Sequence, residues 1–140
     1  MRIPFVFLLY LTGSFSNSLF AQQPSPEQIR QYHRLLQGQS EELLINSENA
    51  FDLYLTGYQF FLNTALHAGD SAFEVYFARI EALTSSIQPS DPWANYVLAE
   101  FKLQEAFIEL KAENELAAAW KLRQAFRMTE KALSSAPLNP

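Results

Sequence analysis

The side chains able to do chemistry fall into a few small sets. Glu105 and Glu109 stand four positions apart, a spacing that places two carboxyls on one helix face. Acid and base roles would need an apolar pocket to pull their pKa values apart. Nothing in the sequence around them supplies one, so a solvated acidic ridge is expected. His67 and Asp70 are three positions apart at a helix end, but two ligands make a poor metal site, and His33 is the only other histidine. Trp120 neighbours Arg123, Gln124 and Arg127 at helical spacing. An exposed aromatic side chain among cations can anchor a partner segment; a Trp packed on an adjacent helix would instead leave the arginines merely solvated. Trp93 falls with Glu100, Gln104 and Lys111 on a second mixed strip, either the wall of a groove or, for Trp93, a cover over the core at a helix start. The chain has no Gly-rich phosphate loop, no HExxH and no GxSxG. It has no cysteine for a nucleophile, a thiolate zinc site or a disulfide. Neither catalysis nor a cofactor is expected.

Composition narrows the classes further. The 140 residues are 49% apolar and 18% charged, enough for one packed domain and too apolar for a disordered polymer. Ten Lys and Arg against 15 Asp and Glu give a net charge of −5 with no basic block, which makes nucleic acid a poor partner.

Residues 1–21 read as a cleavable secretory signal peptide. Arg2 is followed by an apolar run over residues 3–11, a small and polar stretch over 12–18, and Ala21 ahead of Gln22 and Gln23. The apolar run is shorter than the roughly 20 residues a bilayer requires, and Pro4 and the pair Gly13 and Ser14 interrupt a helix. Export to a periplasmic or extracellular space follows, with residues 22–140 as the domain and no membrane association after cleavage.

The remaining chain is punctuated as helices. Ser25, Pro26 and Gln28 form a capping-box pattern ahead of Ile29, Tyr32, Leu35 and Leu36, and Gly38 is a stop. A short second helix is expected over residues 40–45. Asn49 caps a helix running to about Ala68 that is apolar nearly all round, which marks it as central. Ser71 with Glu74 reads as a capping box for a helix to about Ile87. Asp91 is expected as cap and Pro92 as the first residue of the next helix. Over residues 93–112 two apolar arcs alternate with two polar strips, one of Asn95, Lys102, Glu105 and Glu109, the other of Glu100, Gln104 and Lys111. A helix with two apolar faces must pack on two neighbours. Asn114 caps the last helix, about 115–135, with Ala118, Ala119, Leu122, Ala125, Phe126, Ala132 and Leu133 as its expected packing face. No stretch alternates with a two-residue period, so no sheet is expected.

Hairpins therefore fall at about 26–46, 49–87 and 92–135, and the two long ones open 43 positions apart, within the range of helical solenoid repeats. Ala106, Ala118, Leu122 and Ala125 resemble the small-residue framework of a tetratricopeptide repeat, and the run from Ala132 through Pro137 to Pro140 resembles the phrase that closes one. The resemblance covers residues 93–140. The chain departs from it where bulky residues are expected, at Lys102, Glu105 and Glu109, and Pro137 comes about two turns late. The run Ala117, Ala118, Ala119 and Trp120 also looks like exported bacterial helical-repeat proteins of unknown function. Together these readings give an all-α fold of antiparallel helical hairpins stacked as a short α-solenoid. The function expected is a scaffold for a protein or peptide partner, with self-association through the C-terminal flank as one way of covering it. Trp120, Arg123, Arg127, Trp93, Glu100, Gln104 and Lys111 are its expected contact residues. The alternatives are a small helical carrier or enzyme with a pocket walled by the Phe and Tyr side chains of residues 49–87, or a structural segment with no activity.

Overall fold

The structure, a computed structural model, describes residues 24–39, 49–67, 69 and 71–135. The signal-peptide reading, the short helix over 40–45, the pairing of His67 with Asp70 and the closing phrase around Pro137 lie outside the described residues. Within them the chain forms five helices and no strand: α1 (Pro26–Leu36), α2 (Ala50–His67), α3 (Ser71–Ser86), α4 (Ala94–Lys111) and α5 (Glu115–Ser135).

Local chemistry explains most of the helix limits. The Ser25 hydroxyl accepts the Gln28 N–H at 3.2 Å, and the Gln28 side-chain carbonyl accepts the Ser25 N–H at 2.7 Å, a complete capping box with Pro26 in the first turn. Gly38, at φ +71°, turns the chain after α1 in the left-handed region that glycine tolerates best. The Asn49 side chain accepts the Phe51 N–H at 2.8 Å at the head of α2. Ser71 is itself the first helical residue of α3, so it does not stand in the cap position expected for it. Between α4 and α5 the reversal passes through Glu113 at φ +60°, with the Asn114 N–H returning to the Glu109 carbonyl at 2.9 Å.

The start of α4 differs from expectation. The helix begins at Ala94, two residues after Pro92, and Asp91 ahead of it is bonded to two segments of the backbone at once. One carboxylate oxygen accepts the Trp93 N–H at 2.8 Å, and the other accepts the N–H of Ala50, the fully buried first residue of α2, at 2.9 Å. The Asp91 carbonyl closes the turn by accepting the Ala94 N–H at 3.0 Å. A single carboxylate therefore satisfies orphan donors at the heads of two helices.

Packing centres on α2 and α4. Helix α2 meets α1, α3 and α4, and α4 meets α2, α3 and α5. Leu53, Tyr54, Leu55 and Tyr58 of α2, Phe73, Tyr76 and Ile80 of α3, and Val97, Phe101 and Ile108 of α4 make the core. On its other side α4 receives α5, with small buried residues in both helices: Ala99 and Ala106 in α4, Ala118 and Ala125 in α5. The two-faced character read from the sequence is thus present, but the middle of the polar strips is not solvated, while Asn95 and Lys111 at their ends are exposed. Glu100, Gln104 and Glu105 are all buried, because the neighbours on both sides close over the strips between the arcs. Helix α5 is the reverse case. Of its expected packing face only Ala118 and Ala125 are buried, while Ala119, Leu122, Phe126 and Leu133 are exposed. Among the described helices the α5 backbone approaches α4 alone, and one neighbour covers one stripe.

Two substitutions test this frame. A Cβ on Gly57 would lie 2.9 Å from Phe101 Cζ and 3.3 Å from Ile80 Cδ1. Gly57→Ala gains about 1 kcal/mol of helix propensity but overpacks this contact, at a cost of roughly 1–3 kcal/mol. The urea midpoint should fall, and a rise would show that α2 and α4 are farther apart than described. Asp91→Ala should cost about 2 kcal/mol or more, since it removes a cap and strands the buried Ala50 N–H; an unchanged midpoint would contradict the shared cap.

Candidate functional site

The sequence-derived contact residues divide among three places. Trp93 is a core cover: its ring lies 5.2 Å from Phe51 and 5.7 Å from Tyr96, both edge-on, within an aromatic belt that continues through Tyr54 and Tyr58 to Tyr32. Lys111 acts on a helix end. Its ammonium donates to the carbonyls of Ala65 at 2.6 Å and Thr64 at 3.3 Å, in the last turn of α2, where the helix dipole favours a cation. Glu100 and Gln104 lie in the interior, each 4% exposed. The mixed strip expected of these four residues is therefore not one surface, and it does not line a groove.

The interior site lies on the strip that the sequence marks between two apolar arcs, but it is buried and not a groove wall. Burial pushes the Glu100 carboxyl up to about 7, against a downward pull from its hydrogen bond with Tyr96. Four tyrosines sense its charge: Tyr32 from α1, Tyr54 and Tyr58 from α2, and Tyr96 from α4. Burial raises all four, Tyr58 to about 12, so they remain protonated donors at neutral pH. One turn along α4, the Gln104 carbonyl faces the Tyr76 hydroxyl at 3.4 Å while its amide nitrogen is buried without a partner. The signal in the sequence was the position of this strip between two apolar arcs.

Glu105 also departs from expectation. It is 5% exposed and held by two ammonium groups, Lys102 at 2.6 Å and Lys121 at 2.9 Å. Glu109 instead accepts the Asn114 side-chain amide at 3.0 Å. The two carboxylates therefore have separate partners and do not form an acid–base pair. Among the described residues no group of three His, Asp or Glu side chains is placed to hold a metal ion, and no helix is long and apolar enough to cross a membrane.

The third place is a surface cleft where α5 lies along α4. Lys102, Trp120, Lys121, Gln124, Arg127 and Met128 line about 430 Å³ of open space. Trp120 is 56% exposed, which overturns the reading that packs it on an adjacent helix. Lys121 reaches across toward α3, with its ammonium 5.9 Å from the Phe77 ring centre. Glu105 takes one negative charge to two lysines, so with Arg127 the cleft is cationic on a chain that is acidic overall. Arg123 is exposed but does not line the cleft; it stands on the next flank of α5. Lys102, Lys121 and Met128, which the sequence does not single out as contact residues, become cleft residues because α4 and α5 pair in this register.

The interior carboxyl gives a pH prediction. Its pKa is about 7 in the folded chain against an ordinary 4.5. The stability contributed by the neutral form is therefore complete below the unfolded value and lost as pH rises through the folded one, by about 3 kcal/mol in all. Denaturant midpoints should fall between pH 5 and about 7.5, and Glu100→Gln should flatten that slope. An unchanged slope in the variant would show that Glu100 ionises as a solvated carboxyl.

No family model, characterised protein or solved structure matches the chain.

Proposed function

We propose that the chain is an exported helical scaffold that binds a partner polypeptide through the cleft between α4 and α5, with no catalysis of its own. The observation that carries the reading is the exposed Trp120 ring in a cleft edged by Lys102, Lys121 and Arg127. A large exposed aromatic ring beside an apolar thioether, with cations at the rim, suits an apolar side chain neighboured by carboxylates. The partner is therefore an acidic segment of another protein. Export rests on the pattern of residues 1–21, and places the partner in a periplasmic or extracellular space. Stacked hairpins of tetratricopeptide type would set the cleft on one edge of a short solenoid. The contacts of α4 with α2, α3 and α5 are in keeping with that arrangement.

The test compares capture of exported proteins by the wild type, by Trp120→Ala and by Arg127→Glu. Both side chains are exposed, so each variant should keep its stability to within about 0.5 kcal/mol. Capture of a discrete acidic partner should fall by about tenfold or more in both. Undiminished capture by both variants would contradict the cleft, and a large loss of stability in Trp120→Ala would make the ring part of the core. Copurification of a small apolar molecule, with no captured protein, would favour a carrier that uses the aromatic belt.

A further inference from the structure

Helix α5 carries a second feature, on a different flank from the cleft. Ala119, Leu122, Phe126, Thr129 and Leu133 follow one another at spacings of three, four, three and four. That is the a/d alternation of a coiled-coil seam, and it runs about 21 Å along the helix. Leu122 is 53% exposed and Phe126 65%. Among the described helices the α5 backbone approaches α4 alone, and it does so with Ala118 and Ala125 buried, the positions preceding Ala119 and Phe126 in each heptad.

The charges beside the seam indicate what covers it. On the side away from α4, the position following each of Leu122 and Thr129 is charged: Arg123 and Glu130, seven apart and of opposite sign, both exposed and without an ion pair among the described residues. On the side toward α4 the equivalent positions are Ala118, Ala125 and Ala132. A parallel partner helix would bring its charged edge against those alanines. An antiparallel copy related by a two-fold axis brings the charged edges together, so that opposite signs meet twice. We propose that the outer seam of α5 is the contact of an antiparallel homodimer. Arg123 faces Glu130 of the partner subunit, and Leu122 lies opposite Leu133 of the partner subunit, with Phe126 beside the two-fold axis. The interface is isologous, and it leaves the Trp120 cleft of each copy open. It therefore stands or falls separately from the binding function proposed above.

The experiment is sedimentation velocity on the full chain over a wide range of concentration, with helix content followed by circular dichroism. The wild type should shift from monomer to dimer as concentration rises. Phe126→Glu should raise the dimer dissociation constant by about tenfold or more with helix content unchanged. Arg123→Glu and Glu130→Arg should each weaken the dimer, and the double exchange R123E with E130R should restore it, because the pairs re-form with signs reversed. Trp120→Ala should leave the dimer intact. A chain that stays monomeric at every concentration would overturn the proposal and leave the seam to a different protein. A dimer indifferent to Phe126→Glu, or a double exchange that fails to restore association, would overturn it as well.

Discussion

Phe101 occupies the space that a side chain on Gly57 would fill, and the rest of the structure depends on that close approach. A glycine in mid-helix costs helix stability, by about 1 kcal/mol relative to Ala. Here it lets α4 press against α2 until Phe101 is wholly buried, a gain of roughly 1.5–3 kcal/mol for such a side chain. The fully buried Ile80 of α3 closes the same point from the other hairpin helix. With α4 seated this deeply, its polar residues cannot all reach water. Glu100 is enclosed with tyrosine hydroxyls around it, and Glu105 is enclosed with two lysines. The shared cap at Asp91 fixes the head of α4 to the head of α2. Among the described helices the hairpin of α4 and α5 is thereby anchored mainly through α4, with Lys121 of α5 reaching the Phe77 ring of α3.

That asymmetry distributes the surface properties. Helix α4 is buried on two sides, against large side chains of α2 and α3 on one and against the alanines of α5 on the other. Close packing through alanines leaves the longer side chains of α5 on its outer flanks. One flank mixes an aromatic ring with cations and faces the edge shared with α3. The other is an apolar stripe with alternating charges along its margin. A helix that leaves such a stripe in water is at odds with the usual pairing of apolar faces, which is why contacts with other polypeptides are proposed for α5.

Much of the framework was legible in the sequence. Capping residues, prolines and glycines act locally, so Ser25, Pro26, Gln28, Gly38, Asn49 and Asn114 marked helix ends close to where they fall. The two-faced character of α4 was legible from periodicity alone. What was not legible depended on distance. Asp91 looked like the cap of one helix because its second partner, Ala50, lies 41 positions away. Lys111 looked like a surface cation because the carbonyls it caps belong to α2. Glu100, Gln104 and Glu105 were assigned to water because a helical projection gives angles but does not show how far a neighbour wraps around. Gly57 carries no signal of its role in the sequence, since nothing in its neighbourhood points to Phe101. On α5 the projection finds the apolar residues, but not which of them pack: Ala118 and Ala125 turn inward, and Ala119, the leucines and Phe126 turn outward.

Helix α4 organises the described helices, and α5 is an appendage packed along one side of it. Amide hydrogen exchange measured helix by helix tests this most directly, because protection reports the free energy needed to open each segment. The slowest amides should lie in α4 from Val97 to Ile108 and in α2 around Gly57, with α5 exchanging faster through opening of its own. Protection in α5 equal to or greater than that in α4, or rapid exchange around Gly57, would contradict the account.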